Sequence, residues 1–206
     1  MEDFAKRFHI SSDNNVVDLG GSPFVWSLLQ TQPQLTFLNL LTEDIPNGGY
    51  KVVKGDACNA PFPSKSFDVV FSNSVIEHVG SREKQFEFAQ ECSRCGTGYY
   101  IQTPNKWFPL DLHTFFLFVH WLPERIFRKA VRFSPRAIFF QTSPADLEDL
   151  RNLRLLSKKD MKAIFPDAEI IEEKFLGLTK SLIAVYPPPC SDRNMPRDHA
   201  NADKTA

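Results

Sequence analysis

A dominant charge, a cysteine framework and a long apolar run are all missing from this chain. Across 206 residues, 24 Lys and Arg offset 25 Asp and Glu for a net charge of −1, so there is no cationic footprint and no nucleic-acid partner is expected. Four cysteines, Cys58, Cys92, Cys95 and Cys190, are too few to staple a chain of this size, and no signal peptide opens it. A reducing cytoplasm is the expected setting. Cys92 and Cys95 have the spacing of half a zinc site, but no second pair and no nearby His-x-x-x-His supplies further ligands, so no metal is expected. The apolar run Phe115 to Leu122 is too short to cross a bilayer.

What is present begins with VVDLGGSPF, residues 16–24. Val16 and Val17 suit a buried strand, and Asp18 sits at its carboxyl end. Gly20 and Gly21 permit a tight turn and close backbone approach to a ligand. Pro23 suits the first turn of a helix, here expected from about Pro23 to Leu29. A dinucleotide fingerprint needs three spaced glycines, and Ser22, Pro23 and Phe24 stand where further ones would fall. Alone, the segment reads equally as a ligand-binding turn and as a plain tight turn.

Downstream, LTFLNL (35–40), the stretch around 50–54, FDVVFSN (67–73) and YYIQT (99–103) read as strands, with a helix from Arg82 to Arg94 behind Ser81. Alternation at this spacing predicts a parallel sheet with helices on both faces and ligands at the carboxyl ends of the strands. Those ends are Asp18 to Gly21, Asn39, Asp56, Asn73 to Ser74, and Thr103 to Asn105. A helix is expected from Ser143, and Ser157 with Asp160 forms a capping-box pattern. AEIIEEKFLG and KSLIAVY then read as two strands joined by a turn. Residues 187–206 lack apolar periodicity and are expected to be disordered. The chain is long enough for one domain, 1–186.

Nineteen phenylalanines and fifteen prolines are the unusual counts, and many fall in an insertion, 106–141, with the composition of a lid or acceptor pocket. His113 and His120 titrate near neutrality and are the candidate bases; seven residues apart, they share a face if the run between them is helical. Asp111 is a weaker candidate. Trp107 and Trp121, with Arg125, Arg128, Lys129 and Arg132 nearby, also suit a place on a membrane surface.

Four pieces in order, VVDLGG, GDACNAPFPSKSFDVVFSNSVIEHV, GYYIQTPN and FPDAEIIEEKFLGLTKSLIAVY, resemble the class I S-adenosylmethionine-dependent methyltransferases, specifically the methyltransferase type 11 group. They cover roughly residues 15 to 105 and 155 to 186. The resemblance implies a Rossmann-like α/β three-layer sandwich, its seven-stranded sheet mostly parallel with an antiparallel last strand, here with an aromatic helical insertion. It implies S-adenosylmethionine as cofactor. Asp18, Gly20 and Gly21 would hold the methionine part. Asn39 would meet the ribose, where the family usually has an acidic residue. Asp56 would accept from the adenine amino group, with Ala57 flanking the ring. Asn73 and Ser74 would pass beneath the sulfonium. Ser22 and Phe24 also depart from the family's glycines. Glu77-His78 matches an acidic-His pair, where His78 either caps the loop or contacts substrate.

The implied function is methyl transfer by in-line displacement to a small, lipophilic acceptor, most plausibly at oxygen. The alternative is a non-catalytic cofactor-binding module that docks a membrane or protein through the insertion. Neither DPPY nor NPPY follows the fourth strand, which speaks against amino-methylation of nucleic acid.

Overall fold

The computed structural model describes residues 1–41, 48–111, 115–139, 150 and 152–187. Its strands are β1 (Asn15–Leu19), β2 (Gln34–Asn39), β3 (Lys51–Lys54), β4 (Phe67–Asn73), β5 (Gly96–Pro104), β6 (Leu110–Asp111), β7 (Phe116–Leu117), β8 (Glu169–Phe175) and β9 (Leu178–Tyr186). Its helices are α1 (Glu2–Phe8), α2 (Pro23–Trp26), α3 (Arg82–Cys95), α4 (Glu124–Ala130), α5 (Pro135–Phe139) and α6 (Lys158–Ile164). Seven strands form one sheet in the order β3-β2-β1-β4-β5-β9-β8. β1 to β5 pair in parallel, whereas β9 runs antiparallel to both β5 and β8. The C-terminal hairpin therefore folds its second strand into the sheet and leaves β8 at the edge.

Strand periodicity sorts the core into two layers. Val17 and Leu19 of β1, Ile101 of β5, and Leu182 and Ala184 of β9 pack on one side with Phe88 and Cys92 of α3 and Met161 of α6. Val16, Tyr100, Ile183 and Val185 pack on the other with Phe4 of α1 and Trp26 of α2. Two helix starts are locally encoded. Ser81 Oγ accepts the Lys84 N–H, and Ser157 with Asp160 forms the reciprocal capping box. Cys92 and Cys95 are free, buried thiols at the end of α3.

The structure adds one helix and revises two expectations. The N-terminal segment carries α1, whose Phe4 is fully buried with its ring edge-on to Trp26, Phe71 and Tyr100. α2 stops at Trp26 rather than Leu29 because the Gln32 side-chain amide donates to the carbonyls of Trp26 and Leu29 and turns the chain. The insertion is only partly helical: β6 and β7 form an antiparallel hairpin, followed by a 3-10 turn, Val119–Trp121. His120 lies in that 3-10 turn, whereas His113 lies outside the described residues. The start of the helix expected from Ser143 and the tail beyond Pro187 lie outside the described residues, while Leu150 and Asn152 are helical.

Candidate cofactor site

The sheet order runs β1-β2-β3 in one direction and β4-β5 in the other, so the topological switch point lies between β1 and β4. Ligands of open α/β sheets bind outside the carboxyl ends at such a point. The turn after β1 is shaped by its two glycines. Gly20 has φ +76°, and its N–H donates to the Leu38 carbonyl at 2.8 Å. A Cβ there would lie 2.6 Å from Val75 Cγ2, and one on Gly21 would lie 1.8 Å from Asp18 Oδ2. The sequence suggests that Gly21 makes room for a ligand; in the structure the group nearest to it is the carboxylate of Asp18.

Asp18 is 1% exposed. Its Oδ2 accepts the Trp26 indole N–H at 2.7 Å, while Oδ1 is buried without a hydrogen-bond partner. Burial disfavours the charged form and pushes its pKa up to about 7, the indole N–H opposing this only in part. An orphaned buried carboxylate oxygen invites a cationic or N–H-bearing ligand group.

Asn39 has a role that an acidic residue could not fill. Its Nδ2 donates to the Gly21 carbonyl at 3.1 Å, and its own carbonyl accepts the Gly55 N–H at 2.9 Å. The side chain thus ties the glycine turn to the end of β2, leaving Oδ1 as the acceptor. Asp56 is exposed, with Oδ1 accepting the Cys58 N–H at 2.8 Å, and Ala57 is half-buried beside it. After β4, Ser74 adopts φ +58°, donates its N–H to Gln102 and its hydroxyl to Asn73 Oδ1. A non-glycine residue held in the left-handed region is uncommon and concentrates at functional turns.

Further along the same edge, Glu77 is fully buried and its Oε2 accepts the Thr103 hydroxyl at 2.9 Å. His78 is exposed, its backbone N–H closing the loop onto Val75. His120 lines a small crevice of about 10 Å³ with Asn105, Phe108 and Lys180, next to the end of β5. His113 lies outside the described residues. The structure therefore brings Asp18, Gly20, Gly21 and Asn39 into contact, sets Asp56, Ala57, Asn73 and Ser74 on the neighbouring strand ends, and puts His120 by β5.

A sequence profile described as a methyltransferase domain matches residues 22–101. Over that span the chain is similar to a methyltransferase domain, and its sheet has the Rossmann-like methyltransferase fold. The matched span holds Asn39, Asp56, Ala57, Asn73 and Ser74, and begins just past Gly21. The match implies S-adenosylmethionine as cofactor, and the orphaned Asp18 oxygen behind a glycine turn suits that molecule's amino-acid end.

Solved structures with the same fold include an S-adenosylmethionine-dependent methyltransferase from Aquifex aeolicus, 13% identical with TM-score 0.50, covering 89% of this chain and 87% of that one. Another, from Methanosarcina mazei, is 12% identical with TM-score 0.52, covering 85% and 92%. A Rhodobacter sphaeroides protein described among the zinc-dependent alcohol dehydrogenases is 12% identical with TM-score 0.56, covering 89% and 86%. At these identities the likeness is of fold alone. No curated protein matches the sequence.

Two contributors to the candidate site escape sequence reasoning. Trp26 is Asp18's hydrogen-bond donor, and Val75 is the wall behind Gly20. Trp26 is the one tryptophan outside the insertion, which is the only sequence signal it offers.

Proposed function

We propose that this domain methylates an oxygen of a small, lipophilic acceptor in the cytoplasm. The observation that carries the reading is the orphaned Asp18 Oδ1 behind the Gly20–Gly21 turn at the sheet's switch point, with Asn39 and Asp56 on the next strand ends. When bound, the cofactor supplies an electrophilic methyl group on a sulfonium. Asp18 accepts from the cofactor's amino group, and Gly20 and Gly21 line its methionine portion. Asn39 Oδ1 accepts from a ribose hydroxyl, while its Nδ2 keeps the turn in place. Asp56 takes the adenine amino group, beside Ala57. Asn73 and Ser74 form the floor under the reacting sulfur.

For the acceptor, the protein must align an oxygen opposite the leaving sulfur and exclude water. Orientation of this kind supplies on the order of 7 to 11 kcal/mol. A hydroxyl must also lose a proton as it attacks, and imidazole suits that near neutrality. Of the described histidines, His120 borders the carboxyl end of β5 together with apolar Phe108, which favours it as the base. His113 is the second candidate. Three free, buried cysteines support a reducing compartment.

The test is transfer of isotopically labelled methyl from the cofactor to panels of lipophilic alcohols, phenols and amines. Turnover on hydroxyl acceptors is expected, falling about 100-fold or more in His120→Ala with cofactor affinity kept. Turnover confined to amines, or unchanged in that variant, contradicts the assignment. Cofactor binding without turnover on any acceptor points instead to the docking module.

A further inference from the structure

Outside the cofactor site, the feature with no assigned purpose is the outer surface of the insertion. In sequence, the segment from Lys106 to Phe139 has six Lys or Arg against two Asp or Glu, in a chain whose net charge is −1. Its inner side is conventional. Phe127 of α4 and Val131 pack with Val119 and Leu150 in a small buried cluster. A surface helix with one face buried in this way ordinarily presents polar residues on the other.

Here the other side is apolar and cationic. Leu122, Ile126, Lys129 and Phe133 follow one another at helical steps, all exposed, with Phe133 at 66%. Arg125 and Arg132 are exposed among them, the Arg132 guanidinium 5.8 Å from the centre of the Phe133 ring. The hairpin side adds aromatic surface. Trp121 lies 4.9 Å from Phe118 and 6.2 Å from Trp107 between ring centres. Its indole N–H donates to the Lys106 carbonyl, and the Lys106 ammonium sits over the Trp107 ring at 5.6 Å.

We propose that this aromatic and cationic face of the insertion docks on an anionic lipid surface. Apolar rings ringed by Lys and Arg match the boundary between acyl chains and anionic headgroups, where tryptophan sits with its ring body apolar and its N–H satisfied. The cations complement lipid phosphates directly. A protein partner fits less well, because lysine is depleted in protein interfaces. A second copy would set like charges against each other. Among the described residues no helix is long and apolar enough to cross a membrane, so the contact is with the surface. The proposal is independent of methyl transfer, since lipid and cofactor binding can fail separately.

The chain supplies its own probe. Of its three tryptophans, Trp107 and Trp121 lie in the face, whereas Trp26 is 1% exposed in the core. The full chain is mixed with phosphatidylcholine vesicles, with or without phosphatidylglycerol, and followed by cosedimentation and tryptophan emission. Binding with a blue shift is expected only for the anionic vesicles, weakening as salt is added. Lys129→Glu/Arg132→Glu should weaken it by about tenfold or more, and Ile126→Ser/Phe133→Ser should also weaken it. Circular dichroism and cofactor titration should be unchanged in both. Absence of binding to anionic vesicles, equal affinity for neutral ones, or two variants that bind like the parent would overturn the proposal. Lipid-free self-association abolished by Ile126→Ser/Phe133→Ser would overturn it too, assigning the face to a second copy.

Discussion

The turn after β1 and the outer face of the insertion each leave a group unsatisfied, and the two groups are of opposite kinds. At the turn, a polar atom is buried without a partner, Asp18 Oδ1. In the insertion, apolar side chains such as Phe133 and Trp107 stand exposed without cover. A buried orphan acceptor calls for a small ligand carrying donors, placed to within hydrogen-bond distance. An uncovered apolar and cationic face calls for a surface that needs no such precision. The difference teaches that one domain can hold a rigid ligand site and a broad docking face a few strands apart, and that substitutions should affect them in separate currencies.

The largest expected effect is at Gly21. A Cβ there would stand 1.8 Å from Asp18 Oδ2, and that oxygen is held at 2.7 Å by the Trp26 indole N–H. Gly21→Ala should cost about 3 kcal/mol in denaturant unfolding and abolish measurable cofactor binding. Next comes Trp26→Phe, which keeps the ring and removes the N–H, leaving Asp18 without its donor. It should cost about 2 kcal/mol at neutral pH, read in the same unfolding experiment. A parental midpoint in either variant would erase the contrast between the two regions.

Acidity sharpens the same comparison. Burial raises the Asp18 pKa from its ordinary 3.8 to about 7, so the folded chain holds that proton more tightly than the unfolded chain. Asp18's stabilising contribution is full below about 3.8 and is lost as pH rises through about 7. The thermal midpoint of the cofactor-free protein should carry a declining component across that window, and Asp18→Asn should remove it. Cofactor affinity should rise over the same window if the ionised carboxylate receives the amino group. The smallest effect is expected in the insertion: Phe133→Ser should shift stability by no more than about 0.5 kcal/mol while weakening attachment to anionic vesicles.

Much of this was legible in the sequence where local pattern and tertiary position agree. β2 and β4 are near-continuous apolar runs, and they lie within a residue of where the pattern puts them, at Gln34–Asn39 and Phe67–Asn73. The capping box at Ser157 and Asp160 reads directly from spacing. α1 was not legible because only Phe4 and Phe8 carry apolar signal, and Phe4 is buried by residues far away in sequence. The insertion misleads because its apolar residues are too dense to show a period, so a hairpin and a helix look alike. Within the site, the strand ends and the glycine turn were readable. The Trp26–Asp18 bond was not, since a contact across a turn leaves no periodic trace. Asn39 reads from family comparison as a weakened ribose ligand. The structure adds the donor bond to Gly21, which only the amide can make.

The most direct test of the central claim, a cofactor site at the switch point between β1 and β4, is calorimetric titration of the full chain with S-adenosylmethionine beside Asp56→Ala. The account predicts one saturable site in the parent, weakened by about 1–3 kcal/mol in the variant. No saturable binding in the parent, or equal affinity in the two proteins, would contradict it.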